Sequence, residues 1–138
     1  MVKVYIAGPL FTEGERWLLE KVDEACRRMG LETYLPHRET SPKMGVKGVY
    51  ESHLKALENC SLMVAVLDGA DIDSGTAFEI GFFKAKGKPV IGLRTDSRAL
   101  HLPRYGETTE VNLMVRFSLS RYVKSLSELK EALKGWKP

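Results

Sequence analysis

The stretch from Asp68 to Gly81 combines acidic residues with glycines and a short apolar segment. Three aspartates, Asp68, Asp71 and Asp73, fall within six positions, which is more than a turn requires. One glutamate, Glu79, then follows among phenylalanine and isoleucine residues. A carboxylate in apolar surroundings is partly desolvated, and such a group is suited to act as a nucleophile or as an acid. This stretch is therefore the first candidate for chemistry.

Glu79 also has a structural interpretation. Thr76 to Glu79 fits a capping box, in which the glutamate only bonds back to the start of its helix. Against this, Asp73 and Ser74 already offer caps one turn earlier. The residue types leave both interpretations open.

The elements that would position these residues follow an alternating pattern. Short β-rich or apolar runs are separated by segments with helical spacing, which indicates an α/β fold with a parallel sheet. We predict one domain over residues 1–138, doubly wound, with five strands in the order 2-1-3-4-5. The predicted strands are residues 2–6, 31–35, 61–67, 89–93 and 120–124, and the predicted helices are 13–29, 49–59, 76–86 and 125–134. Residues 37–48 and 94–110 are predicted loops.

Such a sheet places the unusual residues at one edge. Ligands bind outside the carboxyl ends of the strands, at the switch point between strands 1 and 3. Gly8, Pro9 and Phe11 leave strand 1, and Asp68 to Ser74 leave strand 3. Two carboxylates roughly 5 Å apart at such a site would suit a retaining glycosyl transfer. Phe11 would equally serve as a core residue.

Composition excludes several classes of function. The net charge is +3 and the basic residues are dispersed, so we expect no nucleic-acid partner. No apolar run has the length of a membrane span and the first residues read as a strand, so we expect a cytoplasmic protein without membrane contact. The two cysteines and three histidines lie apart, which predicts neither a metal site nor a disulfide framework. Without a Walker loop or G-x-G-x-x-G, we expect no nucleotide cofactor.

The sequence resembles the nucleoside 2-deoxyribosyltransferase family. The matching segments run in order along nearly the whole chain, and the middle one is the most specific. They are YIAGPLF at 5–11, LDG at 67–69 with DSGTAFEIG at 73–81, GKPVIGLRTD at 87–96, and NLM at 112–114.

The resemblance implies a flavodoxin-like fold and transfer of deoxyribose between nucleobases through a covalent ester. By its motif, Glu79 is similar to the family's nucleophile, Asp73 to the aspartate that helps the base to leave, and Tyr5 to the tyrosine that orients the nucleophile. Asn112 and Met114 resemble the pair that a neighbouring subunit contributes, which implies a homo-oligomer with shared sites. We expect a nucleoside or nucleotide and a free base to contact Gly8, Pro9, Phe11, His53, Asp68, Ser74, Gly75, Asn112 and Met114.

His53 departs from the family pattern, because many members carry an aspartate there that contacts the base. This difference bears on which base the protein prefers and on whether it transfers deoxyribose at all. The alternative is that His53 is simply a surface residue of its helix.

Two other functions stay open: hydrolysis of nucleoside 5′-monophosphates, and non-catalytic binding of a nucleotide. The strand 1 loop argues against the first, because Pro9 and its neighbours offer neither an arginine nor an extra glycine for a phosphate. Tyr5, Asp73, Glu79 and Asn112 argue against the second, because binding alone needs no nucleophile.

Overall fold

A parallel sheet of five strands organises the chain, and the computed structural model describes residues 2–136. The ends of the predicted domain, residue 1 and residues 137–138, lie outside the described residues. In chain order the elements are β1 (Lys3–Ala7), α1 (Glu13–Arg28), β2 (Glu32–Tyr34), α2 (Pro36–Glu39), α3 (Gly45–Asn59), β3 (Leu62–Val66), α4 (Ser74–Ala85), β4 (Val90–Leu93), β5 (Leu100–Leu102), β6 (Glu107–Thr109), α5 (Leu113–Arg116), β7 (Arg121–Val123) and α6 (Leu126–Leu133).

The large sheet has the order β2-β1-β3-β4-β7, and each neighbouring pair is parallel. The predicted α/β class and the predicted strand order 2-1-3-4-5 are therefore confirmed, with β7 as the fifth strand. The switch point lies between β1 and β3, where Tyr5 pairs with Met63. Helices cover both faces, so this edge of the sheet is where a ligand would bind.

The core has two layers because side chains on a strand alternate between the two faces of a sheet. On one face, Leu62, Val64 and Val66 of β3 belong to a cluster with α1 and α6. On the other face, Met63 and Ala65 belong to a cluster with α3 and α4. All five residues of β3 are buried, as its continuous apolar run predicts.

Helix α1 begins with a capping box. Thr12 Oγ1 accepts the backbone N–H of Glu15 at 3.1 Å, and Glu15 Oε1 accepts the N–H of Thr12 at 2.8 Å. Gly30, with a φ of 81°, follows the end of the helix, in the left-handed conformation that favours glycine there.

Both predicted loops contain regular structure, and those two predictions are wrong. Residues 36–44 form α2 and a 3₁₀ turn, and α3 begins at Gly45 instead of Val49. Each of the two new turns has proline at its start, where a missing N–H costs nothing. Within residues 2–136, strands β5 and β6 pair only with each other, as an antiparallel hairpin around Gly106, whose φ is 65°. No helix in residues 2–136 combines the length and the apolar character needed to cross a membrane.

Candidate active site

A cleft of about 410 Å³ opens at the carboxyl ends of β1, β2 and β3. Its walls come from the loop after β1, from the face of α3 and from the first turns of α4. Six lining residues were predicted from the sequence: Gly8, Phe11, His53, Asp73, Gly75 and Glu79. The other six are Leu10, Pro36, Tyr50, Leu54, Leu57 and Phe78.

Gly8 allows the chain to turn into the wall of the cleft. A Cβ at this position would lie 2.7 Å from Leu19 Cδ2 and 3.1 Å from the Cβ of Val66. Both neighbours are core atoms, so a larger residue would displace the end of β1 from α1 and β3. Glycine here keeps this part of the cleft wall close to the core, and the predicted contact of Gly8 with a ligand stays a prediction.

Glu79 does not cap its helix. Helix α4 begins at Ser74, and the cap is Asp73, whose carboxylate accepts the backbone N–H of Thr76 at 3.1 Å. Glu79 lies in the second turn of α4, beyond the reach of the free N–H groups at its start. The capping-box interpretation of Glu79 is therefore wrong, and its carboxylate lines the cleft.

The Glu79 carboxylate accepts a hydrogen bond from the hydroxyl of Tyr5, a fully buried residue of β1. Burial, together with the adjacent Glu79 carboxylate, raises the pKa of Tyr5 far above its ordinary value, so Tyr5 remains a donor. Burial raises the pKa of Glu79 from 4.5 to about 7. The Tyr5 hydrogen bond acts to lower this pKa, while the nearby charge of Asp73 acts to raise it. A carboxylate held in this way is poised to react near neutral pH.

Asp73 uses one carboxylate oxygen to hold α4. Its Oδ2 accepts both the N–H and the hydroxyl of Thr76, each at 3.1 Å. A Cβ on Gly75 would lie 3.3 Å from that oxygen, so glycine leaves the carboxylate its place. Among the described residues Oδ1 has no hydrogen-bond partner, and Asp73 lines the cleft. One oxygen of Asp73 is thus structural and the other is free for a ligand.

Two tyrosines on neighbouring strands contact residues that line the cleft. Tyr5 and Tyr34 are paired in register and stack with ring centroids 5.2 Å apart and planes 14° apart. The Tyr34 hydroxyl lies 2.9 Å from both Ser52 Oγ and His53 Nδ1 on α3. Burial lowers the pKa of His53 below its ordinary value, so its ring is neutral at pH 7.

Besides Tyr5, which bonds the lining residue Glu79, five of the predicted site residues do not line this cleft. Pro9 is buried and Ser74 is exposed at the start of α4. Asp68 joins the loops after β3 and β4, where it bonds Thr95 and accepts the N–H of Asp96 at 3.1 Å. Asn112 caps α5, with Oδ1 accepting the N–H of Met114 at 2.9 Å. Met114 is exposed.

The wall formed by α3 was largely missed by sequence reasoning. Tyr50, His53, Leu54 and Leu57 occupy one face of this helix and all line the cleft. Their spacing of three, four and seven residues was a usable pattern, because it describes one helical stripe. Tyr50 was overlooked because it lies in the first turn of the helix predicted over 49–59, so the earlier turn of the stripe's helix was missing from the prediction.

The sequence matches the family model described as nucleoside 2-deoxyribosyltransferase over residues 4–115. This range includes the strands, loops and helices that build the cleft. The chain belongs to the nucleoside 2-deoxyribosyltransferase family, whose enzymes transfer deoxyribose or act as N-hydrolases.

Two relatives resemble the chain in sequence. An uncharacterized protein of Schizosaccharomyces pombe is 32% identical over 112 residues, which cover 69% of this chain and 51% of that protein. The chain thus spans about half the length of that relative. A Thermofilum pendens protein, provisionally named 2′-deoxynucleoside 5′-phosphate N-hydrolase 1, is 30% identical over 105 residues, covering 70% of this chain and 71% of that protein.

Solved structures share the fold. A conserved protein from Enterococcus faecalis V583 superposes with a TM-score of 0.83 at 28% identity, covering 99% of each chain. The 2-deoxyribosyltransferase from Bacillus psychrosaccharolyticus gives a TM-score of 0.78 at 23% identity, covering 94% of this chain and 90% of its own. The second likeness establishes the common fold.

Proposed function

We propose that this protein cleaves the N-glycosidic bond of 2-deoxyribonucleosides on Glu79 and passes the deoxyribose to a second nucleobase. One observation carries the proposal: a half-buried carboxylate, hydrogen-bonded by Tyr5, lines a largely apolar cleft at the switch point of the sheet. Asp73 places a second carboxylate on the same lining. Family membership supports this general chemistry.

In the first step an ionised Glu79 oxygen bonds to C1′ of the deoxyribose while the bond from C1′ to the base nitrogen breaks. The electron pair stays on the base nitrogen, which takes a proton that comes from solvent and that Asp73 can relay. Tyr5 keeps its proton and donates to the Glu79 oxygen that does not attack. The product is a glutamyl ester of deoxyribose and a free base.

In the second step a nitrogen of another base bonds to C1′ from the face that the first base left. The C1′–O bond to Glu79 breaks, its electron pair returns to the carboxylate, and the incoming base loses a proton. Two inversions give net retention. Water in place of the second base gives hydrolysis, so Leu10, Phe11 and Phe78 on the lining favour transfer by limiting water.

The lining also favours a nucleoside over its 5′-monophosphate. Among the described residues no lysine or arginine lines the cleft, and the one histidine there is neutral near pH 7. A phosphate dianion loses hydration when it binds, so its site needs positively charged groups or several hydrogen-bond donors. The competing candidate is hydrolysis of deoxynucleoside monophosphates, and the name of the Thermofilum pendens relative is the observation that favours it.

The test is incubation with deoxyadenosine plus a free pyrimidine base, followed by chromatography. Transfer yields a new pyrimidine deoxynucleoside together with adenine, whereas hydrolysis yields adenine and free deoxyribose. The same incubation with deoxyadenosine 5′-monophosphate separates the two candidates. Preferred cleavage of the monophosphate, with release of the sugar phosphate, would replace the transferase proposal with the hydrolase.

The sugar gives a second check. A 2′-hydroxyl withdraws electrons from the positive charge that develops at C1′, so a deoxynucleoside should react far faster than its ribonucleoside. We expect deoxyadenosine to exceed adenosine in kcat/KM by at least about a hundredfold, or about 2.7 kcal/mol of transition-state stabilisation. Equal rates for the two substrates would contradict the assignment to deoxyribosyl transfer.

A further inference from the structure

Two loops at the carboxyl edge of the sheet are joined by hydrogen bonds that the proposed reaction does not use. One loop follows β3 and leads to α4, and the other follows β4. The Asp68 carboxylate accepts the backbone N–H groups of Thr95 and Asp96 at 2.7 and 3.1 Å, and also the Thr95 hydroxyl. Asp96 Oδ2 in turn accepts the N–H of Gly69 at 3.0 Å. Each loop therefore supplies a carboxylate that holds the backbone of the other.

Arg94 connects the same two loops through a buried guanidinium, and the residue is only 1% exposed. Its Nη1 donates to the carbonyl of Leu67 at 2.6 Å, and its Nη2 donates to the carbonyls of Gly69 at 3.1 Å and Arg98 at 2.8 Å. A buried cation costs free energy that an apolar side chain of similar volume would not cost. Filling space therefore does not explain Arg94, whereas its fork of donors fixes the backbone on both sides of Asp68.

The backbone held in this way lies close along the chain to Asp73. Residues 70–72 alone separate Gly69 from Asp73, and a chain advances by at most about 3.6 Å per residue. The turn is tight, because Gly69 has a φ of 125° and a Cβ there would lie 2.9 Å from the carbonyl oxygen of Asp71. Ile72 packs against the core between the sheet and helices α3 and α4. A displacement of Gly69 would therefore reach Asp73, which lines the cleft.

We infer that Arg94 and Asp68 are positioning residues, which hold the loop after β3 so that the Asp73 carboxylate stays in the cleft with Glu79. The inference rests on the proposed function and deepens it. Both carboxylates line the cleft, and they repel each other when both are ionised. The bonds between the loops oppose this repulsion. Without them, Asp73 would move away from Glu79 and from the leaving base.

The kinetic test breaks the bonds between the loops from both sides. Arg94→Met removes the buried guanidinium, and Asp68→Ala removes the carboxylate but leaves Arg94 in place. In each variant kcat for deoxyadenosine cleavage should fall about ten- to a hundredfold, because displacing a reacting group by about 1 Å has an effect of that size. KM should stay within about twofold, since neither residue lines the cleft. Asp68→Asn keeps an oxygen for the two backbone N–H groups, so it should retain most of the wild-type kcat.

The pKa of Glu79 reports where Asp73 lies, because the charge of Asp73 raises it in addition to the larger effect of burial. Carbon-13 NMR of the Glu79 carboxyl, assigned with Glu79→Gln, measures this pKa without substrate. We expect it to be lower than wild type in both Arg94→Met and Asp68→Ala. The two variants remove charges of opposite sign, so a fall in both cannot come from the lost charge itself. Once Asp73→Asn has removed the charge, neither variant should lower the pKa further.

The other titratable groups around Glu79 stay in place in these variants. Tyr5 of β1 donates to its carboxylate, and Tyr50 and His53 of α3 line the same cleft. The charged residues of α3 are exposed, and β3 and β4 contain none. On α5, Arg116 lies over the ring of Tyr122, 4.5 Å from its centroid. A change in the pKa of Glu79 therefore points to Asp73.

Lys88→Met is the matched control, because Lys88 is also a cation that holds backbone carbonyls next to β4. It precedes the strand, and its Nζ donates to the carbonyls of Leu57, Glu58 and Cys60 at 3.0, 2.7 and 2.8 Å. Its loss should lower the free energy of unfolding and leave the pKa of Glu79 unchanged. Denaturant unfolding of every variant shows which of them are folded under the assay conditions. If Arg94→Met does not fold, the comparison of Asp68→Ala with and without Asp73→Asn decides.

The outcomes separate this inference from the proposed function. Lower stability with wild-type kcat and an unchanged pKa of Glu79 would overturn the inference, because the two loops would then only support the fold. If the wild type transfers no deoxyribose but both variants lower the pKa of Glu79, the positioning role stands and the reaction is wrong. If the wild type transfers deoxyribose but the pKa rises in Arg94→Met and falls in Asp68→Ala, the reaction stands and the positioning role is wrong.

Discussion

At the scale of single residues, the raised pKa of Glu79 dictates how activity depends on pH. The nucleophile must be ionised, and burial places its pKa at about 7. We therefore expect kcat/KM for cleavage to rise with pH through a midpoint near 7 and to fall on the acid side. The measurement is a pH profile of deoxynucleoside cleavage. A midpoint near 4.5, the ordinary value for glutamate, would show that the carboxylate is not desolvated in the working enzyme.

Tyr5 provides a matched test of the same carboxylate. Its hydrogen bond lowers the pKa of Glu79, so Tyr5→Phe should move the midpoint to higher pH and reduce the rate at neutral pH. Rates measured well above the midpoint should recover in part, because Glu79 is then ionised without help. If the midpoint does not move, Tyr5 orients Glu79 without tuning it.

Glu79 should also reduce stability at high pH. Its folded pKa of about 7 exceeds the ordinary 4.5, so between these values the unfolded chain loses a proton that the folded chain keeps. Stability from this group is present below 4.5 and is lost as pH rises to about 7. At pH 8, Glu79→Gln should therefore unfold at a higher denaturant concentration than wild type, with a free energy of unfolding that is larger by at most about 3 kcal/mol. At pH 4 the two free energies of unfolding should be equal.

Glu79→Gln should also lose nearly all turnover. A turnover close to wild type would exclude the nucleophile role.

The sequence indicated Glu79 because its apolar neighbours leave a carboxylate without an ordinary purpose. It could not indicate the bond from Tyr5, because the two residues are 74 positions apart and meet only after β1 and α4 pack together. The contacts of Tyr34 with Ser52 and His53 could not be predicted for the same reason. A single sequence reveals unusual residues, whereas long-range packing decides which of them meet.

At the scale of elements, Asp73 joins the stability of α4 to the chemistry of the cleft. Asparagine caps helices as well as aspartate does, so Asp73→Asn should unfold within about 0.5 kcal/mol of wild type, whereas Asp73→Ala should lose about 1 kcal/mol. Both variants should cleave more slowly if the free oxygen assists the leaving base. Removing the charge should also lower the pKa of Glu79, and hence the midpoint of its pH profile. Full activity in Asp73→Asn would limit Asp73 to its capping role.

Element prediction succeeded where a repeating pattern was long and failed where it was short. The continuous buried run of β3 predicts a strand, and the amphipathic pattern of α1 predicts a helix. The β5–β6 hairpin has three residues in each strand and pairs with nothing else in the described chain, so its alternation was too short to detect. Gly45 and Gly48 suggested a loop, yet both lie in the first turns of α3, where glycine is tolerated.

At the scale of the whole molecule, two of the predicted site residues lie outside the cleft. Asn112 caps α5 and Met114 lies in its first turn. Helix α5 packs against α4, and neither residue lines the cleft of its own chain. Helix α5 also exposes apolar side chains: Met114 is 72% exposed and the following Phe117 is 79% exposed. Phe78, which lines the cleft, is 58% exposed. Apolar surface of this kind on neighbouring helices is typical of a contact between protein molecules.

We propose that a second copy of the chain covers α5 and that each site receives Asn112 from its partner. The competing interpretation is that Asn112 only caps α5, which its bond to the Met114 N–H already shows it can do. Mixing inactive Glu79→Ala and Asn112→Ala subunits separates the two. In a two-fold dimer, half of the mixed molecules carry both variants and one of their two sites is intact, so about a quarter of wild-type activity should return. Asn112→Ser keeps the cap and removes the amide, so it should be as inactive alone as Asn112→Ala and should complement equally well. No recovery in mixtures that mass spectrometry shows to exchange subunits would place both residues in one chain.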